Sequence, residues 1–320
     1  MRIFYVCPDV AEPSGGIKRL YTHVELLREN GYDAYIMHVK KGFKLHWFDS
    51  QAPIVYPEDS PLSSFDSKDT FVIPEGHPLV MKQFKTLPVK KVVIALNPAH
   101  VFQSMPVGEN WKNYGINWVM ANNKTIKDFI QWSMGIKNIH VIESSVDHSM
   151  FYYKPDMKNR QVAYIKKKDT LTPLVENILK SKDASFHELA ITAIENLNIQ
   201  DYAQVLRESK IYLTTSAFEG FPRSIIEAMA CGCICIGFHG IGGKDYIIES
   251  GRQQNFVLAE SMNFIDLSKK LAELVEMIKH KDPRVGVIRQ NALATAAGFS
   301  PESEKKSILE FWRTFFETES

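Results

Sequence analysis

Short apolar runs alternate with amphipathic helical segments along the chain, and this alternation restricts its fold more than any other feature. The apolar run at residues 2–7 precedes a segment at 17–30 with apolar residues at helical spacing, which Gly31 ends. Strands that alternate with helices predict parallel, doubly wound sheets, so the predicted fold class is α/β. Further strands are predicted at 35–39, 70–73, 91–96, 118–121, 140–142, 161–165, 188–192, 211–215 and 233–238, and further helices at 171–180, 201–209, 224–230 and 264–279.

The length of 320 residues predicts two domains of about 150 residues each. A polar stretch around Pro155 separates two sets of strands and helices. We therefore predict a first Rossmann-like domain at 1–152, a second at 153–300, and a final helix at 301–320. Trp312, Phe315 and Phe316 give that helix an apolar face, which suits docking on the first domain or an ordinary core stripe.

The charge balance excludes an electrostatic footprint for nucleic acid, because the formal net charge is +1 and neither half is basic. A basic and aromatic run at 40–48 predicts a solvated loop with a packed aromatic ring, and at most peripheral membrane contact. No run approaches the roughly 20 apolar residues of a membrane span, and no signal segment precedes the first strand, so we expect a cytoplasmic protein. The sequence leaves the oligomeric state open.

Three cysteines alternate in the run CGCICIGF, at Cys231, Cys233 and Cys235. In a strand, alternation places all three side chains on one face, which allows a thiolate metal site. No matching cluster of ligands completes such a site, so buried small hydrophobic residues are the preferred interpretation.

The segment Ser216–Ala230 places two carboxylates, Glu219 and Glu227, around a turn that opens a helix. Pro222 suits the first helical turn, where its missing N–H is no loss. The free N–H groups of that turn, with Arg223 and Ser224, predict an anion site. Carboxylates beside an anion site suit a nucleotide-sugar, whose hydroxyls donate hydrogen bonds and whose phosphate meets the helix end. The residues predicted to bind the nucleotide here are Gly220, Phe221, Arg223, Ser224 and Glu227.

The pattern Glu-x7-Glu followed by Ala-Met-Ala-x-Gly resembles the signature of retaining glycosyltransferases of the GT-B fold, the family-four or group 1 class. The resemblance continues through the strand and glycine-rich loop at 235–243. It implies two Rossmann-like domains facing a cleft, with the C-terminal helix crossing back to the first. It also implies that the domain at 1–152 binds the acceptor and the domain at 153–300 binds the donor. It also implies that Glu219 contacts the donor sugar and Glu227 the donor ribose. Pro222 and Arg223 depart from the usual Glu-Gly-Phe-Gly-Leu-Pro, removing an amide donor and adding a charge.

Two further groups are assigned to the donor diphosphate. Gly15 and Gly16 follow the first strand, and the resemblance implies that this pair faces the diphosphate across the cleft; a plain tight turn is the alternative. The family usually has an arginine and a downstream lysine after the strand at 161–165, whereas this chain has three lysines, and Leu171 at the downstream position. The preferred interpretation is that Lys167 and Lys168 are catalytic residues that neutralise the leaving group. The alternative is that the three lysines form a solvated basic turn.

Substrate contacts are also predicted at the ends of two other strands. Asn97 and His100 follow the strand at 91–96 and suit acceptor or sugar contacts, with a structural role as the alternative. Gly243 and Lys244 lie in the loop after Phe238 and are predicted to line the donor pocket. The chain has no Asp-x-Asp motif, so no metal ion and no permanently bound cofactor are expected.

These residues together predict a metal-independent glycosyltransferase that moves a sugar from a UDP- or GDP-type donor to a hydroxyl acceptor. Carbohydrate, lipid-linked and other hydroxyl acceptors stay open, and retention of anomeric configuration is implied by the resemblance. A non-catalytic sugar-nucleotide-binding subunit and another GT-B chemistry, such as an epimerase or phosphorylase, are the alternatives. A modified nucleic-acid base as acceptor is disfavoured by the even charge balance.

Overall fold

The computed structural model describes residues 1–47, 49–59, 64–169 and 171–319, with the backbone but not the side chain of Lys168. Phe48, the last residue of the basic and aromatic run, lies outside the described residues. The strands are β1 Ile3–Val6, β2 Ala34–Met37, β3 Ile54–Val55, β4 Thr70–Pro74, β5 Lys90–Ala95, β6 Trp118–Ala121, β7 Asn138–Val141, β8 Arg160–Ile165, β9 Ile191–Ile194, β10 Ser209–Thr214, β11 Ile234–Gly237 and β12 Val257–Leu258. The α-helices are α1 Gly15–Glu29, α2 Pro78–Phe84, α3 Pro98–Val101, α4 Lys124–Met134, α5 Thr172–Lys182, α6 Ile199–Glu208, α7 Arg223–Ala230, α8 Phe264–Lys279, α9 Pro283–Ala297 and α10 Pro301–Glu319.

The chain divides into two compact units. Unit 1 comprises Met1–Glu143 and Lys305–Ser320, and unit 2 comprises Ser144–Glu304. Within the described residues, unit 1 has a parallel sheet in the order β3-β2-β1-β4-β5-β6-β7, and unit 2 has one in the order β12-β11-β10-β8-β9. Parallel strands joined by helical crossovers confirm the predicted α/β class. Unit 2 takes in residues 144–152 and 301–304, which the sequence analysis assigns to neighbouring segments.

The last helix completes the core of unit 1. Four side chains of α10 are buried together with Ile3 and Tyr5 of β1, and they are Ile308, Phe311, Trp312 and Phe315. The indole N–H of Trp312 donates a hydrogen bond to the Tyr5 hydroxyl at 3.3 Å. The predicted return of the C-terminal helix to the first unit is therefore confirmed. Leu45 and Trp47 of the basic and aromatic run also pack against this cluster.

The sheet of unit 2 is buried on both faces. Strand β10 lies between β8 and β11, and the residues pointing to its two faces enter different apolar clusters, Tyr212 in one and Leu213 in the other. Helices α6 and α7 contribute to the first cluster, α5 and α8 contribute to the second, and α9 contributes to both. Burial on both sides is the usual arrangement of a parallel sheet covered by helices.

The structure corrects the predicted alternation of the three cysteines. Cys231 is the C-cap residue that follows helix α7, and Gly232 lies in the left-handed region with φ +72°, so only Cys233 and Cys235 alternate along the start of β11. All four cysteines of the chain are free and buried. Within the described residues, no group of three or more His, Cys, Asp and Glu side chains is placed to hold a metal ion.

Candidate active site

The connections of unit 2 leave one position in its sheet open to a ligand. From β8 the chain crosses to β9 on one side, and it then returns to β10 on the other side of β8. The adjacent strands β8 and β10 thus form the topological switch point, where parallel α/β sheets bind ligands at their carboxyl ends. Those ends are Ile165 and Thr214.

A pocket occupies this switch point and encloses about 310 Å³, its open mouth included. Its wall combines the ends of the two strands with the loops that follow them. Two carboxylates, four aliphatic hydroxyls and a buried tyrosine provide its polar character. The described residues that line it are Ile165, Asp169, Tyr212, Leu213, Thr214, Thr215, Ser216, Glu219, Pro222 and Ser224.

Glu219 is placed in this pocket by the glycine-rich loop after β11. The backbone N–H groups of Ile241 and Gly242 donate to the Glu219 carbonyl oxygen at 2.8 and 3.2 Å. Gly240 has φ +64°, and a Cβ at this position would lie 3.0 Å from that oxygen. The loop can approach Glu219 so closely only because residue 240 has no side chain and tolerates the left-handed conformation.

A second glycine lets β11 approach the floor of the pocket. Gly237 ends β11 opposite Thr214, with φ +126°, and a Cβ there would lie 1.8 Å from the Thr214 carbonyl oxygen. Any larger residue would displace the end of β10.

The start of helix α7 differs from the sequence prediction. The helix begins at Arg223, and Pro222 precedes it as the N-cap with ψ 79°, outside the helical region. The N–H of Arg223 donates to the Phe221 carbonyl at 2.9 Å, and that of Ile225 to the Pro222 carbonyl at 3.1 Å. Two N–H groups of the predicted anion site are therefore already engaged.

Aromatic packing fixes this turn in place. The rings of Phe221, Tyr246 and Phe299 lie 5.6–5.8 Å apart, centroid to centroid. The Tyr246 hydroxyl donates to the Pro222 carbonyl at 3.1 Å. Gly243 packs against this turn, since a Cβ on it would lie 3.3 Å from Pro222, whereas Lys244 is exposed. Neither Gly243 nor Lys244 is among the described residues that line the pocket.

Ser224 faces the pocket from the first turn of α7. Ser224 and the buried Tyr212 of β10 line the same pocket. Burial raises the pKa of Tyr212, and the interaction with the Ser224 side chain opposes the rise. The phenol is therefore neutral at physiological pH and keeps its proton.

Glu227 lies one turn further along α7 and is held from two sides. The buried Tyr202 hydroxyl donates to Oε2 at 2.8 Å, and Arg223 Nε lies 4.0 Å from Oε1. Burial, followed by the neighbouring Glu227, raises the pKa of Tyr202 well above its ordinary value. Arg223 also donates through Nη2 to the Ser145 carbonyl at 3.3 Å, but its buried Nε has no hydrogen-bond partner within the described residues.

The three lysines form a 3-10 turn directly after β8. Lys166 makes an exposed ion pair with Glu195 at 2.8 Å, which directs its side chain towards the end of β9 and away from β10. Lys167 is exposed, and the side chain of Lys168 is outside the described part of the chain. The structure therefore leaves the predicted role of Lys167 and Lys168 untested.

Gly15 and Gly16 open helix α1 in unit 1. Ser14 is the N-cap, and its Oγ accepts from the Ile17 N–H at 3.5 Å. A Cβ on Gly15 would have no heavy atom within 4 Å, and one on Gly16 would lie 3.3 Å from Leu96. Gly15 therefore leaves open space beside the first turn of the helix, as backbone approach to a ligand requires.

Asn97 and His100 frame the short helix α3. The Asn97 side chain accepts from the Ala99 N–H at 3.0 Å, and the exposed His100 Nδ1 lies 2.9 Å from Gln103 Oε1. The buried Glu75 accepts from the Asn97 N–H at 2.8 Å. Burial raises the pKa of Glu75, although the backbone N–H groups that donate to its carboxylate oppose the rise.

Sequence reasoning missed several residues of the pocket. Asp169 follows the three lysines and accepts a hydrogen bond from the Thr215 hydroxyl. These two residues are far apart in the sequence, and neither belongs to a recognisable motif. The position of Asp169 at the carboxyl end of a strand was the available signal.

Comparison with known proteins identifies related folds. The family model described as "Glycosyl transferases group 1" matches residues 178–284, a segment that contains Glu219 and Glu227. An alpha-1,6-glucosyltransferase from Actinobacillus pleuropneumoniae serotype 7 (strain AP76) is 24% identical over 230 residues, which cover 68% of this chain and 67% of the relative. The match confirms the resemblance seen in the sequence.

Two solved structures resemble the chain over nearly its whole length. Sucrose-phosphate synthase from Thermosynechococcus elongatus has a TM-score of 0.75 at 10% identity, covering 99% of both chains. Anabaena HepE in complex with UDP-glucose has a TM-score of 0.74 at 17% identity, covering 98% of this chain and 100% of HepE. These similarities show that the fold is GT-B. Within the described residues, no helix has the length and apolar character needed to cross a membrane.

Proposed function

We propose that this chain, whose residues 178–284 match the group 1 glycosyltransferases, transfers a sugar from a nucleoside diphosphate to an acceptor hydroxyl. The donor is a UDP- or GDP-type sugar, the anomeric configuration is retained, and no metal ion takes part. The acceptor is a carbohydrate, lipid-linked or other hydroxyl compound, and the reaction takes place in the cytoplasm.

The observation that carries the proposal is the pocket at the switch point of unit 2, which contains Glu219 within the matched segment. The carboxylate accepts hydrogen bonds, and the serine and threonine hydroxyls around it both donate and accept them, as a sugar with several hydroxyls requires. Glu219 binds the donor sugar in this scheme. Its fixed backbone lets it act without rearrangement when the glycosidic bond to the phosphate breaks.

Glu227 and Arg223 support a nucleotide site next to the pocket. Tyr202 occupies Oε2 of Glu227, whereas Oε1 has only the ion pair with Arg223 Nε at 4.0 Å and can still accept from a ribose hydroxyl. The buried Nε–H of Arg223, which has no acceptor within the described residues, is a donor for a phosphate or a ribose oxygen. Gly220, Phe221 and Ser224 complete the binding turn.

The leaving diphosphate requires positive charge and backbone donors. We assign the charge to Lys167 and Lys168, because negative charge grows on the phosphate oxygen as the sugar leaves. Gly15 and Gly16 supply backbone N–H groups, and Asn97 and His100 contact the acceptor. In a retaining reaction the acceptor attacks the face that the phosphate leaves, so the phosphate itself can take the acceptor proton.

A binding screen followed by a turnover assay tests the proposal. UDP-glucose, UDP, GDP-mannose and GDP are added to the purified protein, and its melting temperature is measured. A ligand at about 100 times its Kd should stabilise the protein by roughly 2.7 kcal/mol. The release of nucleoside diphosphate from the donor that binds is then followed in the absence of acceptor.

Two variants connect the activity to the pocket. Glu219→Gln should bind the nucleotide but lose nearly all turnover, since a neutral amide replaces the carboxylate at the sugar. The exposed Glu188 of the same unit provides the matched control, and Glu188→Gln should be unaffected. Equal turnover by both variants would refute the assignment of Glu219. Binding without any turnover in the parent protein would favour the non-catalytic subunit, and epimerised donor without acceptor would favour the epimerase.

A further inference from the structure

Asp169 is a carboxylate of the pocket that the proposed function leaves without a role. It follows the 3-10 turn after β8 and lines the same pocket as Glu219. Its side chain connects the loop after β8 with the end of β10, because it accepts the hydroxyl hydrogen of Thr215. It therefore contributes negative charge at the switch point.

The partners of Asp169 within the described residues are all neutral. The N–H of Thr172 lies 3.2 and 3.1 Å from its two oxygens, and the N–H of Leu171 lies 3.4 Å from Oδ1. With the Thr215 hydroxyl, these donors hold the carboxylate in place at the pocket wall. They carry no positive charge of their own, so the negative charge of Asp169 persists beside the pocket.

This charge distinguishes between possible donor sugars. A hexose and its uronic acid differ by a CH₂OH group and a carboxylate at the same carbon. The hydroxyl can donate to Asp169 or Glu219, whereas a ligand carboxylate cannot donate and is repelled by both. At the few ångströms of a pocket, like charges repel strongly even when partly screened by the protein.

We infer that Asp169 is a specificity-determining residue that restricts the donor to nucleotide-sugars without a carboxylate on the sugar. The inference rests on the proposed function, because it takes this pocket as the site of the donor sugar. Asp169 acts through its charge, and Thr215 and the N–H groups of α5 hold that charge in place.

Matched donor pairs and two variants test the inference. The Kd values of UDP-glucose and UDP-glucuronate, and of GDP-mannose and GDP-mannuronate, are measured by calorimetry without acceptor. The parent protein should bind the neutral member of the pair that it recognises at least about tenfold more tightly, a difference of about 1.4 kcal/mol. Asp169→Asn should reduce that ratio about tenfold.

The control variant separates charge from hydrogen bonding. Thr215→Val removes the hydroxyl that donates to Asp169 but leaves the carboxylate, so the ratio should stay within about twofold of the parent value. Asparagine and serine can still accept from the Thr172 N–H at the start of helix α5, so Asp169→Ser serves if Asp169→Asn fails to fold. Melting curves of all variants confirm that they are folded.

The outcomes separate this inference from the proposed function. If the parent protein binds a uronate as tightly as its neutral partner, or the Asp169 variants keep the parental ratio, the inference is overturned and the proposed function stands. If none of the four nucleotide-sugars binds, the proposed function fails and the inference fails with it. A ratio that falls in Thr215→Val as much as in Asp169→Asn would show that loop geometry, and not charge, selects the donor.

Discussion

Replacing Gly240 with alanine tests whether the loop after β11 sets the position of Glu219. Gly240 has φ +64°, and an added Cβ would lie 3.0 Å from the Glu219 carbonyl oxygen and 3.1 Å from the Glu219 Cβ. Both distances are shorter than ordinary van der Waals contact. The loop or the Glu219 backbone must therefore move by a few tenths of an ångström.

Gly251 of the same unit provides a matched control. It has φ +80°, but an added Cβ would have no heavy atom within 4 Å. Both alanine variants bear the cost of a left-handed residue, about 1–2 kcal/mol. For a chain with units of this size, each kcal/mol lowers the melting temperature by roughly 2–4 °C. We expect a loss of about 2–8 °C in both variants from this strain, and a further loss in Gly240→Ala from its close contacts with Glu219.

The rate of donor turnover should differ between Gly240→Ala and Gly251→Ala. Misplacement of a reacting group by about 1 Å can cost 10²-fold in rate, so a smaller shift of Glu219 should lower donor turnover about tenfold in Gly240→Ala. Gly251→Ala should keep the parental rate. Melting curves and nucleotide release are measured on the same preparations. If Gly240→Ala melts lower but turns over as fast as Gly251→Ala, the loop does not control the position of Glu219.

Three further outcomes are expected. Tyr202→Phe removes the 2.8 Å hydrogen bond to Glu227. Because hydrogen bonds to charged groups contribute about 1.5–3 kcal/mol, calorimetry should show about tenfold weaker binding of nucleoside diphosphate. An unchanged Kd would contradict the role of Glu227. Donor turnover should survive excess EDTA, and its loss with recovery on adding magnesium or manganese would overturn the metal-independent mechanism. Burial raises the pKa of Glu75 above its ordinary value of 4.5, so the native state binds the carboxyl proton more tightly than the unfolded chain does. The free energy of unfolding therefore falls as the pH rises from 4.5 towards the raised pKa. Glu75→Gln should flatten that decline in denaturant titrations across this pH range, and parallel curves for parent and variant would contradict the assignment.

The strands that are buried on both faces could be predicted from the sequence, because their apolar runs are continuous. The predicted strand at 211–215 corresponds to β10 at Ser209–Thr214. The two-residue strands Ile54–Val55 and Val257–Leu258 were missed, since two residues give no periodic signal. Helix α9 was also missed. Two of its buried residues are alanines, which give a weak apolar signal, and its exposed Val287 places an apolar residue outside the buried face.

The residues of the candidate site also divide into those that the sequence predicts and those that it does not. Glu219 and Ser224 belong to one local motif, and the structure places both in the pocket. Asp169 and Thr215 meet only because β8 and β10 are adjacent in the sheet, a pairing that spacing along the chain does not encode. The bounds of α7 depend on the φ and ψ angles of Pro222, and proline is compatible with either side of a helix start.

The return of α10 to unit 1 has a consequence for biosynthesis. Tyr5 and its partner Trp312 are separated by 307 positions in the chain, and the Trp118 indole donates to Glu319 at 2.8 Å. During translation the apolar cluster of the unit 1 sheet therefore lacks α10 until almost the whole chain has been synthesised. In that interval unit 2 is synthesised and can fold. Such a delayed closure leaves nascent apolar surface open to chaperones and to aggregation. A chain truncated before α10 would thus have a nearly complete unit 2 and an incomplete unit 1, whose exposed apolar cluster proteases can recognise.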